Sequence, residues 1–417
     1  MQAQHTLAAP RLAASAPSLP RLSRRAGFWA IAFSFLAVTA LSTAPSALYG
    51  LYALHEHLAP LTVTLVYAVY AAGVTVSLLL AGHVSDWYGR RLVLIPALVL
   101  ATVAAVVFIL WESLLGLLVA RVLTGLALGA TVATATAYIA DLDLGRDGAA
   151  TRRSGIVATV ANLGGLAIGP LAAGLLARYA PGGLTLPYVV LLVALVVAVF
   201  AAVLAPEGRR RAHPLPKYRP QRLTVPADGR GQFLAAIAGV ALSFATFGVF
   251  AGLAGRFLAG PLHHPSPALT GAAIFLTFGI GVVVQTTTTT WPAHRLLSGG
   301  IPAIILGLGV LVVSAWTAPP SLALFLIGGV LTGLGASAIF RASLGIVIAT
   351  SQADDRAGAL AAFFVVGYAA LSVPVLGLGI ALQYLSPQVT LLIFGLAVGI
   401  GILAAAPALL RQPDSSQ

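Results

Sequence analysis

Apolar runs of about 20 residues, the length of helix that a hydrocarbon core of roughly 30 Å requires, follow one another along almost the whole chain. Breaks rich in charge, proline or glycine separate them. Twelve such runs begin near Gly27, Leu61, Leu92, Leu114, Ser154, Leu184, Gln232, Ala268, Ile301, Ser321, Gly358 and Val389. Each run predicts one membrane-crossing helix, and together they predict an all-α membrane protein. The first could pass for a signal peptide, with arginines ahead of it and Ala44-Pro45-Ser46-Ala47 near its end. Its apolar stretch, from Gly27 to about Tyr52, is too long for that, and an uncleaved first helix is expected.

The longest interior polar stretch, Glu207 to Arg230, falls after the sixth run and carries Arg209, Arg210, Arg211, Lys217, Arg219, Arg222 and Arg230 among several prolines. It could hold lipid headgroups, but a solvated linker is the simpler reading. The expected organisation is a tail over 1–26, a six-helix bundle over 27–206, a basic linker over 207–230, a second six-helix bundle over 231–410 and a tail over 411–417. The halves repeat each other. Val122-Leu123-Thr124-Gly125-Leu126 recurs as Val330-Leu331-Thr332-Gly333-Leu334, Pro170 answers Pro374, and Leu176-Ala177-Arg178-Tyr179 faces Ala381-Leu382-Gln383-Tyr384. Two pseudo-symmetric copies of one unit are the signature of parallel-repeat transporters.

Composition agrees: 59% of residues are hydrophobic and 8% charged, with mean hydropathy +0.98, whereas soluble domains are about 25% charged. A net charge of +12 would suggest nucleic acid in a soluble protein. Here its placement reads as topology and no nucleic-acid partner is expected. With the N-terminus cytoplasmic, 20 of the 23 basic residues fall on or near the cytoplasmic side, as the positive-inside rule requires. Both termini are then cytoplasmic. Basic residues are nearly all arginine, which hints at a GC-rich bacterial source and hence at the cytoplasmic (inner) membrane. The absence of cysteine excludes disulfides.

After the second run comes Gly82-His83-Val84-Ser85-Asp86-Trp87-Tyr88-Gly89-Arg90-Arg91. This resembles the signature loop of the Major Facilitator Superfamily, in both its residues and its place between spans two and three, and the resemblance extends from about Gly27 to Arg411. Gly82 would let its helix approach a neighbour, and Gly89 permits a turn at positive φ. The resemblance implies that Asp86, Arg90 and Arg91 latch the two halves in the outward-facing state, with Asp141 as the acidic partner. Simple topology determination is the alternative for the two arginines. The matching second-half loop, Trp291-Pro292-Ala293-His294-Arg295, lacks the aspartate, so any latch is one-sided.

In the fifth span, Gly165-x-x-x-Gly169-Pro170-x-x-Ala173-Gly174 resembles a motif of the drug:proton antiporter branch, with Ala173 in place of glycine. It implies export, and its small residues and proline suggest a hinge packed against span eight. Arg121-x-x-x-Gly125-x-x-x-Gly129 in the fourth span resembles a second antiporter motif, linked in that branch to proton transfer. Arg121 lies seven residues into its span, roughly 10 Å deep at 1.5 Å per residue. A guanidinium there is functional by default, unless it snorkels or caps carbonyls near Pro45.

The eleven carboxylates all fall at loops or helix ends: Glu56 and Glu112 on the outer side, and Asp86, Asp141, Asp143, Asp147, Glu207, Asp228, Asp354, Asp355 and Asp414 on the inner. A cavity holding Arg121 and no acid favours neutral, zwitterionic or anionic substrates over cations. A proton carrier, if separate, would lie at His55, Glu56 and His57, a cluster that reads equally as an exposed loop. Candidate pocket groups are Ser42, Thr43, Tyr67, Tyr70, Asn162, Phe244, Phe247 and Gln285, each of which could instead be packing glue. Thr286 to Thr290 should bond its own helix carbonyls, and Arg341 should snorkel.

All eight histidines fall in loops, tails or helix ends, and His263-His264 without a carboxylate is a weak metal site. The expectation is therefore no enzyme, metal or cofactor. The function expected is secondary active transport by alternating access: a monomeric exporter of drugs or metabolites driven by proton antiport, with a small molecule, protons and membrane lipids as partners. Facilitated diffusion or proton symport for uptake is the alternative, and a polytopic membrane enzyme a distant one.

Overall fold

A computed structural model describes residues 21–144, 151–208, 218–226, 229–352 and 355–411. The linker positions 209–217 and the carboxylates Asp147, Asp228, Asp354 and Asp414 lie outside the described residues.

Thirteen helices are present among them: α1 (Arg24–His55), α2 (Pro60–Ala81), the short α3 (Val84–Tyr88), α4 (Arg90–Leu110), α5 (Leu114–Leu142), α6 (Arg152–Tyr179), α7 (Thr185–Leu204), α8 (Arg230–Ala259), α9 (Pro267–Thr287), α10 (Ala293–Trp316), α11 (Leu322–Thr350), α12 (Arg356–Ala381) and α13 (Pro387–Leu410). All except α3 are long and apolar enough to cross a membrane, which makes twelve spans. Helix starts follow local chemistry. Ser23, Thr151, Ser266, Ser321 and Ser386 each accept a hydrogen bond from a first-turn amide, satisfying a donor that the helix itself leaves open. Pro60, Pro267 and Pro387 occupy first positions, where no amide hydrogen is needed. At Gly89 the backbone has φ 100°, so the turn into α4 uses the conformation that glycine tolerates.

Helices α1 to α7 pack chiefly on one another, as do α8 and α10 to α13, while α9 lies more against α6 than against its own group. Across the two groups the main contacts are α6 on α9 and α2 on α12, images of each other under the internal repeat. That repeat has a packing reason. A side chain at Gly125 would collide with the Tyr70 carbonyl of α2, and one at Gly333 with the Thr277 carbonyl of α9. The same glycine thus seats the fourth span of each half on the second. Over their most hydrophobic stretches α1 and α8 are 72% and 67% buried, against 28% and 33% for α7 and α13. The first span of each half therefore lies innermost and the sixth faces lipid.

The described linker residues are mostly exposed but anchored. The Gln221 amide donates to the Leu79 carbonyl at 2.9 Å and the Tyr218 hydroxyl to the Leu80 carbonyl at 3.1 Å, while Thr224 packs against Gly358 of α12. This stretch crosses from α2 to α12 on the face that carries Arg21 and Arg411, here the terminal face; the opposite one is the far face.

Candidate functional site

A cavity of about 370 Å³ lies between the two helix groups. Aromatic rings dominate its wall: Tyr67 and Tyr70 of α2 on one side, and Phe244 and Phe247 of α8, Phe278 of α9 and Phe340 of α11 on the other. Phe364 and Tyr368 of α12 complete it. The rings touch in series, Phe247 with Phe278 at 4.7 Å and Phe244 with Tyr368 at 5.4 Å between centroids. Polar atoms come from Thr43, Thr136, Thr159, Asn162 and Gln285. Among the described residues no aspartate, glutamate, lysine, arginine or histidine lines it.

In the far half of the molecule the bundles touch backbone to backbone. Side chains added at Gly174 and Gly271 would collide with the carbonyls of Pro267 and Pro170, and one at Gly379 with Thr64. The cavity instead runs toward the terminal face, where Gly155, in the first turn of α6, lines it. This is the arrangement of a molecule closed on its far face.

Thr43, Tyr67, Tyr70, Asn162, Phe244, Phe247 and Gln285 are brought together as cavity lining. Ser42 is not; its hydroxyl donates to the Thr39 carbonyl at 2.7 Å, and its own carbonyl accepts from Arg121. Arg121 is wholly buried and lies outside the cavity wall. It donates to the Ser42 carbonyl and to the Tyr49 hydroxyl, both at 2.6 Å, and its guanidinium carbon sits 4.6 Å from the centroid of Tyr70 and 5.8 Å from that of Tyr67. Two charge-assisted hydrogen bonds and stacked rings offset the loss of hydration, although its Nε has no partner. The carbonyl contact three residues before Pro45 matches the capping alternative, and Arg121 does not snorkel. The missed lining residues Phe364 and Tyr368 carried a usable signal, an aromatic pair four positions apart on one helix face.

At the terminal face Arg90 bonds Asp141 at 2.9 Å, Asp86 at 2.7 Å and Ser85 at 2.8 Å, while its amide donates to Glu207 at 2.9 Å. The Arg91 amide also points at Glu207, at 3.4 Å. Arg24 donates to the Asp141 carbonyl. The side-chain partners of Arg90 all belong to the first half, and Glu207 stands at the start of the linker. Glu207, read in the sequence as plain linker, in fact receives the amino end of α4, where the helix dipole favours a carboxylate. At Gly82 the atoms nearest an added side chain are those of Leu78, one turn back.

The fifth-span motif divides its contacts. Gly165 and Gly169 lie against α1, at Thr39 and Ala40, while Pro170 and Gly174 lie against α9, so it packs on span one as well as span eight. Thr286, Thr287 and Thr288 bond carbonyls one turn back, as expected. Arg341 reaches to the carboxyl end of α9, where it caps the Gln285 and Thr289 carbonyls at 3.0 and 2.9 Å. Arg152 reaches the Thr289 hydroxyl from the other half. His55 and Glu56 pair at 3.3 Å on the surface, outside the cavity, and His263 and His264 are exposed. No three potential metal ligands come together among the described residues.

Two packed sets of six spans around a cavity open at one face define a multi-pass membrane transporter rather than an enzyme. The sequence profile described as Major Facilitator Superfamily matches residues 27–323, and the chain belongs to that family. The fold is similar to a mutant of the peptide transporter POT in complex with alafosfalin, with TM-score 0.73, 14% identity and coverage of 92% of this chain and 93% of that one. It is similar also to a mutant of the nucleoside transporter NupG, with TM-score 0.71, 13% identity, and 93% and 100% covered. No match was found among curated protein sequences.

Proposed function

We propose that the chain exports a small, uncharged or weakly polar organic molecule with an aromatic or apolar body, by alternating access, across the cytoplasmic membrane of a bacterium. The observation that carries this reading is the central cavity, walled by aromatic rings from both halves, with Asn162 and Gln285 as polar anchors and no charged group lining it among the described residues. Such a wall binds flat apolar surfaces and hydrogen-bonding groups, and gives a lipophilic cation no counter-charge. Zwitterions and anions remain compatible through Arg121, one layer behind Tyr70. The positive-inside rule makes the terminal face cytoplasmic, so the cavity opens to the cytoplasm and receives cargo there. Proton antiport as the driving force rests on the resemblance of the Arg121 and Gly165-to-Gly174 motifs to antiporter motifs. Asp86, Arg90, Arg91 and Asp141 serve as the conformational latch, and a monomer suffices, since the cavity is complete within one chain.

Facilitated diffusion is the second reading, favoured by the lack of any cavity-lining carboxylate among the described residues. The test is a susceptibility panel of neutral, anionic and cationic aromatic compounds in an efflux-deficient host expressing the protein, with and without an uncoupler. Protection against neutral compounds that collapses with the uncoupler supports the proposal. Protection confined to cations overturns the substrate class, and no protection in any compound class favours facilitated diffusion or uptake.

A further inference from the structure

The far face holds a second cavity, of about 320 Å³, on the other side of the Arg121 cage from the first. Tyr67 and Tyr70, stacked on the Arg121 guanidinium, line the central cavity, whereas Tyr49, its hydrogen-bond acceptor, lines this one. Ser46 and Tyr49 of α1 form one wall, and Arg256 of α8 with Ser266 and Pro267 at the start of α9 form the other. Ser46 is 4% exposed and its hydroxyl has no hydrogen-bond partner, an exception that asks for one. The Tyr49 oxygen accepts from Arg121, which leaves its own hydrogen to give.

The charge here is positive, from the exposed Arg256 guanidinium and the amino end of the 21-residue α9 with its dipole; of the four hydroxyls in the wall, Ser266 accepts from the Leu269 amide and Thr270 donates to the Ser266 carbonyl, which leaves those of Ser46 and Tyr49 to donate. Among the described residues no acid lines the cavity, and the rest of its wall is apolar, as at Leu51, Leu54 and Val63. We propose that this cavity binds a small organic anion, a carboxylate carried on a short apolar or aromatic body, at a site separate from the transported molecule. Its headgroup lies between Arg256, the start of α9, Ser46 and Tyr49, and its body lies on the aliphatic wall.

The two walls belong to different halves. Opening the far face draws Arg256 and α9 away from Ser46 and Tyr49, so the anion binds the closed far face more tightly than the open one. A ligand with that preference holds the transporter in the present state, and the anion acts as a brake on the cycle from the far side. This rests on the geometry of the far face alone and stands whether or not the central cavity carries the cargo proposed above.

The test uses purified full-length protein in phosphatidylcholine nanodiscs, with radiolabelled 4-phenylbutyrate as probe and 4-phenylbutanol and 4-phenylbutylamine as competitors. Saturable binding of the acid is expected, with the alcohol and amine competing poorly. Arg256→Gln, at an exposed position, should weaken binding by about tenfold, the scale of one lost charge-assisted contact. Ser46→Ala should weaken it several-fold, and Gln285→Ala in the central cavity should leave it unchanged. As a second readout, maleimide labelling of Gly50→Cys, which lines the cavity, should slow when the acid is present. Equal competition by the alcohol, or unchanged binding and labelling in Arg256→Gln, overturns the proposal. So does displacement of the probe by phosphatidylglycerol added to the nanodiscs, which assigns the site to a lipid headgroup.

Discussion

Arg121 bonds one backbone carbonyl and one phenol, and the phenol is replaceable. Tyr49→Phe leaves a buried guanidinium N–H without an acceptor, a cost of roughly 1.5–3 kcal/mol, visible as a melting temperature several degrees lower for the purified protein. An unchanged melting temperature would show that the bond contributes little. In the cavity, Phe244→Ala removes a ring that meets both Phe340 and Tyr368. Substrate affinity should fall about tenfold, on the scale of one lost aromatic contact, with expression unaltered; an unaltered affinity places the cargo elsewhere. Both residues illustrate the reach of the sequence at this scale. That Arg121 is buried and consequential follows from its depth in an apolar run. That Tyr49 holds it, from 72 positions away in the chain, depends on how two helices are rotated about their axes, which nearly uniform hydrophobicity does not encode.

Among the elements, α6 is the most informative because its small residues fit two partners at once. Gly174 faces the Pro267 carbonyl so closely that Gly174→Leu has no room without separating α6 from α9. That variant should favour the open far face and lose most transport. The chain has no cysteine, so a single Gly50→Cys reports the change directly: its labelling from the far side should rise, and unchanged labelling with normal transport would remove α6–α9 contact as the far-face closure. The motif that marks this helix was readable from its glycines and proline, as was its packing on span eight. Its second contact, with α1, was not, because small residues state that something approaches closely without stating what. Glu207 likewise read as linker, since only the folded chain brings it to the amino end of α4.

For the whole molecule, the contacts between halves define one end of an alternating cycle. Thr64 of α2 and Gly379 of α12 meet at the far face, and a Thr64→Cys/Gly379→Cys pair in this cysteine-free chain should cross-link under oxidation, stop transport and recover with reductant. Cross-linking without loss of transport would mean that the far face need not open there. The sequence by itself determined the twelve spans, the six-plus-six repeat and the family's signature loop between the second and third spans. A membrane demands that each segment satisfy its own backbone over a set length of apolar residues, and that demand is local. The tertiary structure alone decided which face is closed, that Arg121 stands behind the cavity wall and that Phe278 of α9 and Phe340 of α11 join it. Those outcomes depend on helix rotation and on the approach of small residues across the bundle interface, where lipid and protein are equally apolar and hydrophobic pattern gives no direction.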